Sequence, residues 1–401
     1  LLGDRFSDTG LAQDPRSGNT GNRVLLVDGI GEDTNSFTTL SSAIGSIVDD
    51  EQTTIQIALQ GTVTLKPTEL GNSKIILQAA EGYRPEITFH RDTVAGPDGE
   101  AHLFRLHDGE LILENLKFRL DTLRAPAKSL SLLTITGVGR CKFKECVVTL
   151  RGSTDLICNT ITIHDPTGMS AFPSNIQALG VARIECTDSI IRGTGQLLHV
   201  QAGRPFSLNM QQTGIALDGT VCLLEGSRSN SNMPSDSGQI MMDRCTAYHT
   251  RGLVQIRTSL TMPELMPFRC SVTNSVLALG DNHPLIQVEL QNAEADLKRK
   301  FSWQGRRNMY LGATGSIMRY QHFDRDAFQS EYDQLLWSEY WGKDDEQAQF
   351  QKSLPLSGIL KQVSLHEWET VDFAVKLEGI FSLGLRDMGL PYDTMPRLPQ
   401  P

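Results

Sequence analysis

Short alternating segments recur along this chain about every 25–45 residues, and that repetition constrains the fold more than any other feature. One series reads Phe104-Arg105-Leu106-His107, Leu133-Thr134-Ile135-Thr136, Ile161-Thr162-Ile163-His164 and Leu198-His199-Val200-Gln201. It continues as Cys222-Leu223-Leu224-Glu225, Val254-Gln255-Ile256-Arg257 and Ile286-Gln287-Val288-Glu289. Positions one and three are apolar, while two and four are mostly polar, the period of a half-buried strand. A second series runs out of phase: Asn115-Leu116-Lys117-Phe118, Glu145-Cys146-Val147-Val148, Asp188-Ser189-Ile190-Ile191, Thr213-Gly214-Ile215-Ala216, Arg244-Cys245-Thr246-Ala247 and Asn274-Ser275-Val276-Leu277. Its second position holds Leu, Cys, Ser, Gly, Cys and Ser, a mainly small column suited to stacking.

Two interleaved series of equal order imply a coil with at least two sheet faces, each turn lying on the last. Parallel closure also explains the lack of Asn-Gly hairpin signals between the strands. The fold class is therefore all-β, a right-handed parallel β-helix or solenoid. Residues 165–177 and 227–237, rich in Ser, Asn, Pro and Gly, read as loops thrown out between rungs. Such insertions are tolerated because closing a surface loop costs little more as it lengthens.

Three regions follow. Residues 1–53 hold an N-terminal segment and a capping helix, in which Leu40, Ala43, Ile44, Ile47 and Val48 fall at helical spacing after Ser36 and Thr38. Residues 54–310 form the β-helix, opening with Thr54-Ile55-Gln56-Ile57-Ala58-Leu59. Residues 311–401 form a C-terminal cap of short helices and strands, with a proline-rich tail. In that cap Phe328, Tyr332, Leu335 and Leu336 recur at helical spacing, and Val371 to Leu377 alternates like a strand. Covering both ends protects exposed sheet edges.

The net charge is −10, against the basic field that a phosphate backbone requires, so no nucleic-acid partner is expected. No apolar run is long enough to span a membrane. The opening Leu1-Leu2-Gly3-Asp4-Arg5 carries no readable targeting signal and suggests a piece of a longer precursor. Seven Cys include no CxxC pair, and Cys141 and Cys146 are spaced too loosely for a zinc ribbon. They read as core thiols.

Several segments resemble the β-helix regions that accompany serine/threonine protein kinases in planctomycete-type bacteria. They are Arg23-Val24-Leu25-Leu26-Val27-Asp28, Thr38-Thr39-Leu40, Ala79-Ala80-Glu81-Gly82-Tyr83-Arg84-Pro85, Trp303-Gln304-Gly305-Arg306-Arg307-Asn308-Met309-Tyr310 and Met395-Pro396-Arg397-Leu398-Pro399. The resemblance implies a non-catalytic sensing or scaffolding region. No Gly-rich kinase loop, HRD or DFG triplet occurs.

Enzyme motifs are sparse. Asp28-Gly29-Ile30-Gly31 lacks the third Gly of a dinucleotide turn and reads as a strand end and turn. His366-Glu367-Trp368-Glu369-Thr370 has Thr where a zincin needs its second His. Cys158 and Cys222 lack a base in the sequence. No metal and no cofactor are expected. The outward carboxylates of the first series are Glu225 and Glu289, two rungs apart with Arg257 between, so roughly 9–10 Å at the usual strand spacing. That lies at the edge of an inverting hydrolase pair, about 6.5–9.5 Å. Arg257 would hold both ionised, and a surface ladder is the favoured reading over a catalytic pair. Glu145 and Asp188 are a second candidate pair, stacked in the second series.

Binding residues are sought among Arg306, Arg307, Tyr310, Trp337 and Trp341, since aromatics and Arg dominate hot spots, with core packing as the competing role of the Trp residues. The functional expectation is a non-catalytic binding or scaffold module offering an elongated surface to a protein or a glycan. The alternatives are a polysaccharide-active lyase or hydrolase and a laterally assembling surface protein. Homo-oligomerisation and compartment stay open.

Overall fold

The computed structural model describes residues 23–374, apart from 50, 91–92, 94, 97–98, 122–126, 154–155, 165–179, 229–237, 281–282, 291–293, 323–327, 342–343 and 354. Most of the expected loop segments 165–177 and 227–237, and the proline-rich tail, therefore lie outside the described residues.

Each rung contributes three strands in turn to three long sheets, here A, B and C. One rung runs Glu110–Glu114 in A, Lys117–Leu120 in B and Ser129–Ile135 in C, and Arg140–Lys144 then returns to A. The sheets hold 12, 10 and 10 strands, parallel throughout except at one end of sheet C. The chain is thus an all-β parallel solenoid. The first sequence series is sheet C, in the register read from the sequence: Leu133 pairs with Phe104 and Ile161, and Arg257 with Glu225 and Glu289. The second series is sheet B. Sheet A completes each turn with strands such as Arg183–Ile184–Glu185–Cys186.

The corner between A and B repeats. Asn115, Glu145, Asp188, Gln212, Arg244, Asn274 and Arg307 all take left-handed backbone, with φ between 49° and 55°. A side chain there costs about 1–2 kcal/mol. The same residues donate their N–H to the next rung, as from Asn115 to Lys144 O at 2.9 Å and from Asn274 to Arg306 O at 3.0 Å. The residue after each corner points inward and forms a stacked column. One register correction applies: Gly214 pairs with Ile190, so Thr213, not Gly214, stands in the column with Ser189 and Cys245. The column bonds along itself. Cys146 N donates to Ser189 Oγ, Cys245 N to Ser275 Oγ and Ser275 N to Asn308 Oδ1, each at 3.1 Å. Buried backbone polar groups left over by the turn are thereby satisfied.

One core cluster runs from Leu25 to Trp341 without interruption. The stack also extends past 54–310 at both ends. Arg23–Val27 pairs with the strand Gln52–Ile57, because the apolar Val24-Leu25-Leu26-Val27 run suits a sheet as well as a turn. Helix α1, Leu40–Gly45, is shorter than the periodicity suggested; its N-cap is Thr39, which accepts from Ser42 N, while Ser36–Phe37 is a short strand and Val48 is exposed. The Asp28 turn accepts from Ile30 N and Gly31 N, consistent with a strand end.

After residue 310 the helical spacing of Phe328 and Tyr332 misleads. Phe328–Tyr332 is a strand, antiparallel to Met318–His322. Helix α2, Gln334–Trp341, starts only where Asp333 Oδ1 accepts from Leu335 N and Leu336 N, both at 3.0 Å. Trp337 and Trp341 pack edge-on against Trp303 and Phe301 of the last full rung. The segment 356–373 lies against the outer face of sheet B, where Trp368, fully buried, stacks on Tyr248 and meets Phe373. The expected strand from Val371 is instead a short 3-10 turn, Thr370–Phe373, closed by the reciprocal bonds of Glu369 and Asp372; residues 375–377 lie outside the described residues.

His249 lies in this core beside Leu217 and Leu279, its rung neighbours, with no exposure and neither ring nitrogen hydrogen-bonded among the described residues. Burial pushes its pKa down from 6.5 to about 3. The folded state therefore keeps it neutral, while the unfolded state takes up a proton below 6.5. Its contribution to stability is complete above pH 6.5 and is lost as pH falls towards 3. His249→Leu should flatten the fall of thermal stability across that window while changing the melting temperature less at pH 8. An unchanged acid dependence would contradict this burial.

Candidate functional site

The three outer faces differ in what they leave to solvent. Sheet B is covered by residues 356–373, with Arg192 Nη1 donating to Trp368 O at 2.5 Å. Sheet A carries ion pairs such as Lys142–Glu185 at 3.4 Å and Lys144–Glu114 at 3.6 Å. Sheet C presents hydroxyl, amide and imidazole groups on successive rungs, and a recess lies along it.

That recess is a cavity of about 390 Å³ between sheet C and the B-to-C corner, lined by Asn159, Gln196, His199, Thr220, Gln255 and Arg257 among others. A neighbouring hollow of about 370 Å³ shares Arg251, Gln255 and Arg257 with it, so the two form one groove. The recess exists because the corner lacks side chains. A Cβ on Gly195 would fall 2.4 Å from Cys158 O, and one on Gly219 would fall 2.2 Å from Gly195 O. Backbone approach that close admits only glycine.

Behind its wall, Ser131 and Thr162 share a hydrogen bond of 2.8 Å, and Asn159, which lines the recess, donates from Nδ2 to Thr162 Oγ1 at 3.2 Å. Asn159 Oδ1 and, on the adjoining rung, Gln196 Oε1 are buried without a partner among the described residues. A buried acceptor left unmade costs about 1–3 kcal/mol, so two side by side in a recess mark a place where a donor from outside fits.

Charge on this face is balanced locally. Glu69 meets Arg105 at 3.1 Å and His102 at 3.3 Å, Glu225 meets His199 Nε2 at 2.9 Å, and Glu289 meets Arg257 Nε at 3.1 Å. Burial above all, then Arg105 and His164, pushes His102 down to about 4, so it is neutral at pH 7. Arg251 is exposed at the groove edge with no acidic partner among the described residues.

The sequence placed Glu225, Arg257 and Glu289 correctly on one face, but the ladder is split. Arg257 pairs with Glu289, and Glu225 turns to His199. Glu145 and Asp188 occupy adjoining corners; burial first, then Glu145, raises the Asp188 pKa. They lie at the A-to-B corner, away from the groove. Tyr310 and Trp337 are buried and Trp341 is 6% exposed, so their rings offer no binding surface. Tyr310 Oη and Trp337 Nε1 both donate to Asp345 Oδ2 at 2.8 Å, a bond set that ties α2 to the last rung. Arg306 is exposed on sheet A, and Arg307 is a left-handed corner. Neither adjoins the groove.

Cys158 and Cys222 are fully buried. Desolvation pushes the Cys158 thiol up to about 12 and raises that of Cys222 as well, so neither is a thiolate at neutral pH. No cluster of three metal-ligating side chains occurs among the described residues, and no helix there is long and apolar enough to cross a membrane. The fold defines a parallel β-solenoid with a polar groove. No protein-family model, curated protein or solved structure matches the chain.

Glu225 and Glu289 are partly exposed, at 35% and 24%, and such pairs contribute about 1 kcal/mol or less. Replacing both by Gln should therefore leave the melting temperature nearly unchanged by circular dichroism. A loss of several degrees would mean that these pairs hold the rungs together.

Proposed function

We propose that this chain is a non-catalytic binding module whose sheet C groove takes an uncharged glycan segment. The observation that carries this reading is the pair of buried amide oxygens of Asn159 and Gln196, unpartnered among the described residues, in a groove whose two carboxylates are already engaged, Glu100 beside His164 and Asp218 accepting from Thr250. Sugar hydroxyls donate hydrogen bonds to such acceptors without bringing charge. The cavity is also within the size usual for small-molecule sites, about 300–1,000 Å³.

The same proposal holds that the solenoid coils right-handed, the sense that parallel crossovers take almost always. It further holds that α1 and the segment after residue 310 act as end caps. The resemblance to β-helix regions beside bacterial kinases favours a sensing or scaffolding role, with the glycan as the signal.

A polysaccharide-active enzyme is the second reading, favoured by one contact. Glu225 orients His199 at the groove edge, the arrangement of a carboxylate-steered general base. Against it, both carboxylates are already engaged, Glu225 by His199 and Glu289 by Arg257, and neither lines the groove.

An array of neutral hexose oligosaccharides, with uronate oligomers for comparison, tests the reading. A neutral oligomer should bind, and Gln196→Ala or Asn159→Ala should weaken it by about tenfold, the worth of one good hydrogen bond. Each variant's melting temperature serves as the folding control. Binding of no oligomer would remove the glycan reading. Cleavage of a bound one, abolished by Glu225→Gln, would replace it with the enzyme.

A further inference from the structure

Sheet A carries a second hollow, independent of the groove. It measures about 480 Å³ and is lined by Lys74, Glu110, Val138, Arg140, Val181 and Arg183, with Asn72 and Gly109 at its margin. Arg140 and Arg183 are direct register partners on neighbouring rungs, both outward and both exposed. Like charges directly opposite on a sheet destabilise it. In these rungs of sheet A the lysines are answered by an acid on an adjoining rung. Lys74 meets Glu110 at 3.1 Å, and Lys142 meets Glu185 at 3.4 Å. Arg140 and Arg183 are the exception here: neither guanidinium has an ion-pair or hydrogen-bond partner among the described residues.

The nearby acids are committed elsewhere. Glu110, the other register neighbour of Arg140, bridges to Lys74. Asp108 accepts from Val138 N at 2.8 Å and lies 3.6 Å from His107 Nε2. The hollow thus holds three cations against one carboxylate in a chain whose net charge is −10. Its floor is apolar, since Val138 and Val181 are 41% and 39% exposed.

We propose that Arg140 and Arg183 bind a doubly charged tetrahedral oxyanion, a phosphate or sulfate group. Two guanidiniums one strand spacing apart, about 4.8 Å, can each direct paired N–H donors at one such group. Its charge cancels the excess in the hollow. The two valines suit an organic group carried on the anion, so a monoester fits the hollow better than the free ion does.

The test is calorimetric titration of the intact chain with inorganic phosphate and, separately, with phenyl phosphate at low ionic strength, repeated on Arg140→Gln and Arg183→Gln. Expected is saturable one-site binding that each variant weakens by about tenfold or more, as for loss of a charge-assisted contact. Tighter binding of phenyl phosphate would identify the ester as the natural form, and equal affinities the free ion. Either variant should melt no lower than the parent at low salt, because it removes a like-charge contact, so loss of binding will not reflect unfolding. Absence of saturable binding by both anions, or binding that survives both substitutions, would overturn the proposal. The groove on sheet C is not involved, so neither result bears on the glycan reading.

Discussion

The backbone corner between sheets A and B is the constraint on which the rest of the structure depends. From the rung of Asn115 to that of Arg307 the chain turns sharply there, and a non-glycine residue accepts a left-handed conformation to do it, whereas the two rungs before them take longer turns through Gly61 and Gly82. The strain, about 1–2 kcal/mol at each, is offset because the corner N–H bonds to the next rung and the following side chain enters the stacked column. A corner without a neighbour keeps the strain and loses the bond. Stability therefore belongs to adjoining rungs and not to any rung alone, as expected of a repeat array.

In-register stacking then decides what each face can be. On sheet B the outward positions Val147, Ile190, Val276 and Met309 are apolar and must be covered, which the segment carrying Trp368 does. On sheet A, Lys74, Lys142 and Lys144 meet acids on adjoining rungs, whereas Arg140 and Arg183 meet none among the described residues. On sheet C, small polar side chains and glycine corners leave a recess.

Much of this was legible in the sequence. The alternation of apolar and polar residues in the sheet C strands fixed their register, because a slip of one residue would turn every side chain to the other face. The rungs of sheet B were visible too, but their cover was not inferred. Its signal was present in Val147-Val148-Thr149-Leu150 and Val276-Leu277-Ala278-Leu279, which are apolar without alternation, as strands buried on both faces are. Gly214 was placed in the column because a corner residue's φ cannot be read from a Thr-Gly pair. The candidate site residues Asn159 and Gln196 escaped notice because they precede the alternating tetrads, and the glycine corners beside them, at Gly195 and Gly219, come together only when the rungs stack. Trp337 and Trp341 looked like a binding surface since composition does not distinguish an aromatic hot spot from an aromatic lid.

The last full rung shows how the ends are handled. Phe301, Trp303 and Tyr310 would face water there, but they meet Trp337, Trp341 and Phe350, and buried Asp345 holds Tyr310 and Trp337 together. Each buried aromatic contributes roughly 2–3 kcal/mol by area, and the same stretch of chain supplies the cover of sheet B. The most direct test of an account in which rungs hold one another and the C-terminal segment closes them is thermal unfolding of the chain cut after Met309. A parallel measurement would be made on the chain lacking only Tyr392 to Pro401. The account predicts that the long truncation melts well below the intact chain or aggregates, while the short one changes little. A long truncation that stayed monomeric and melted at the parent temperature would contradict it.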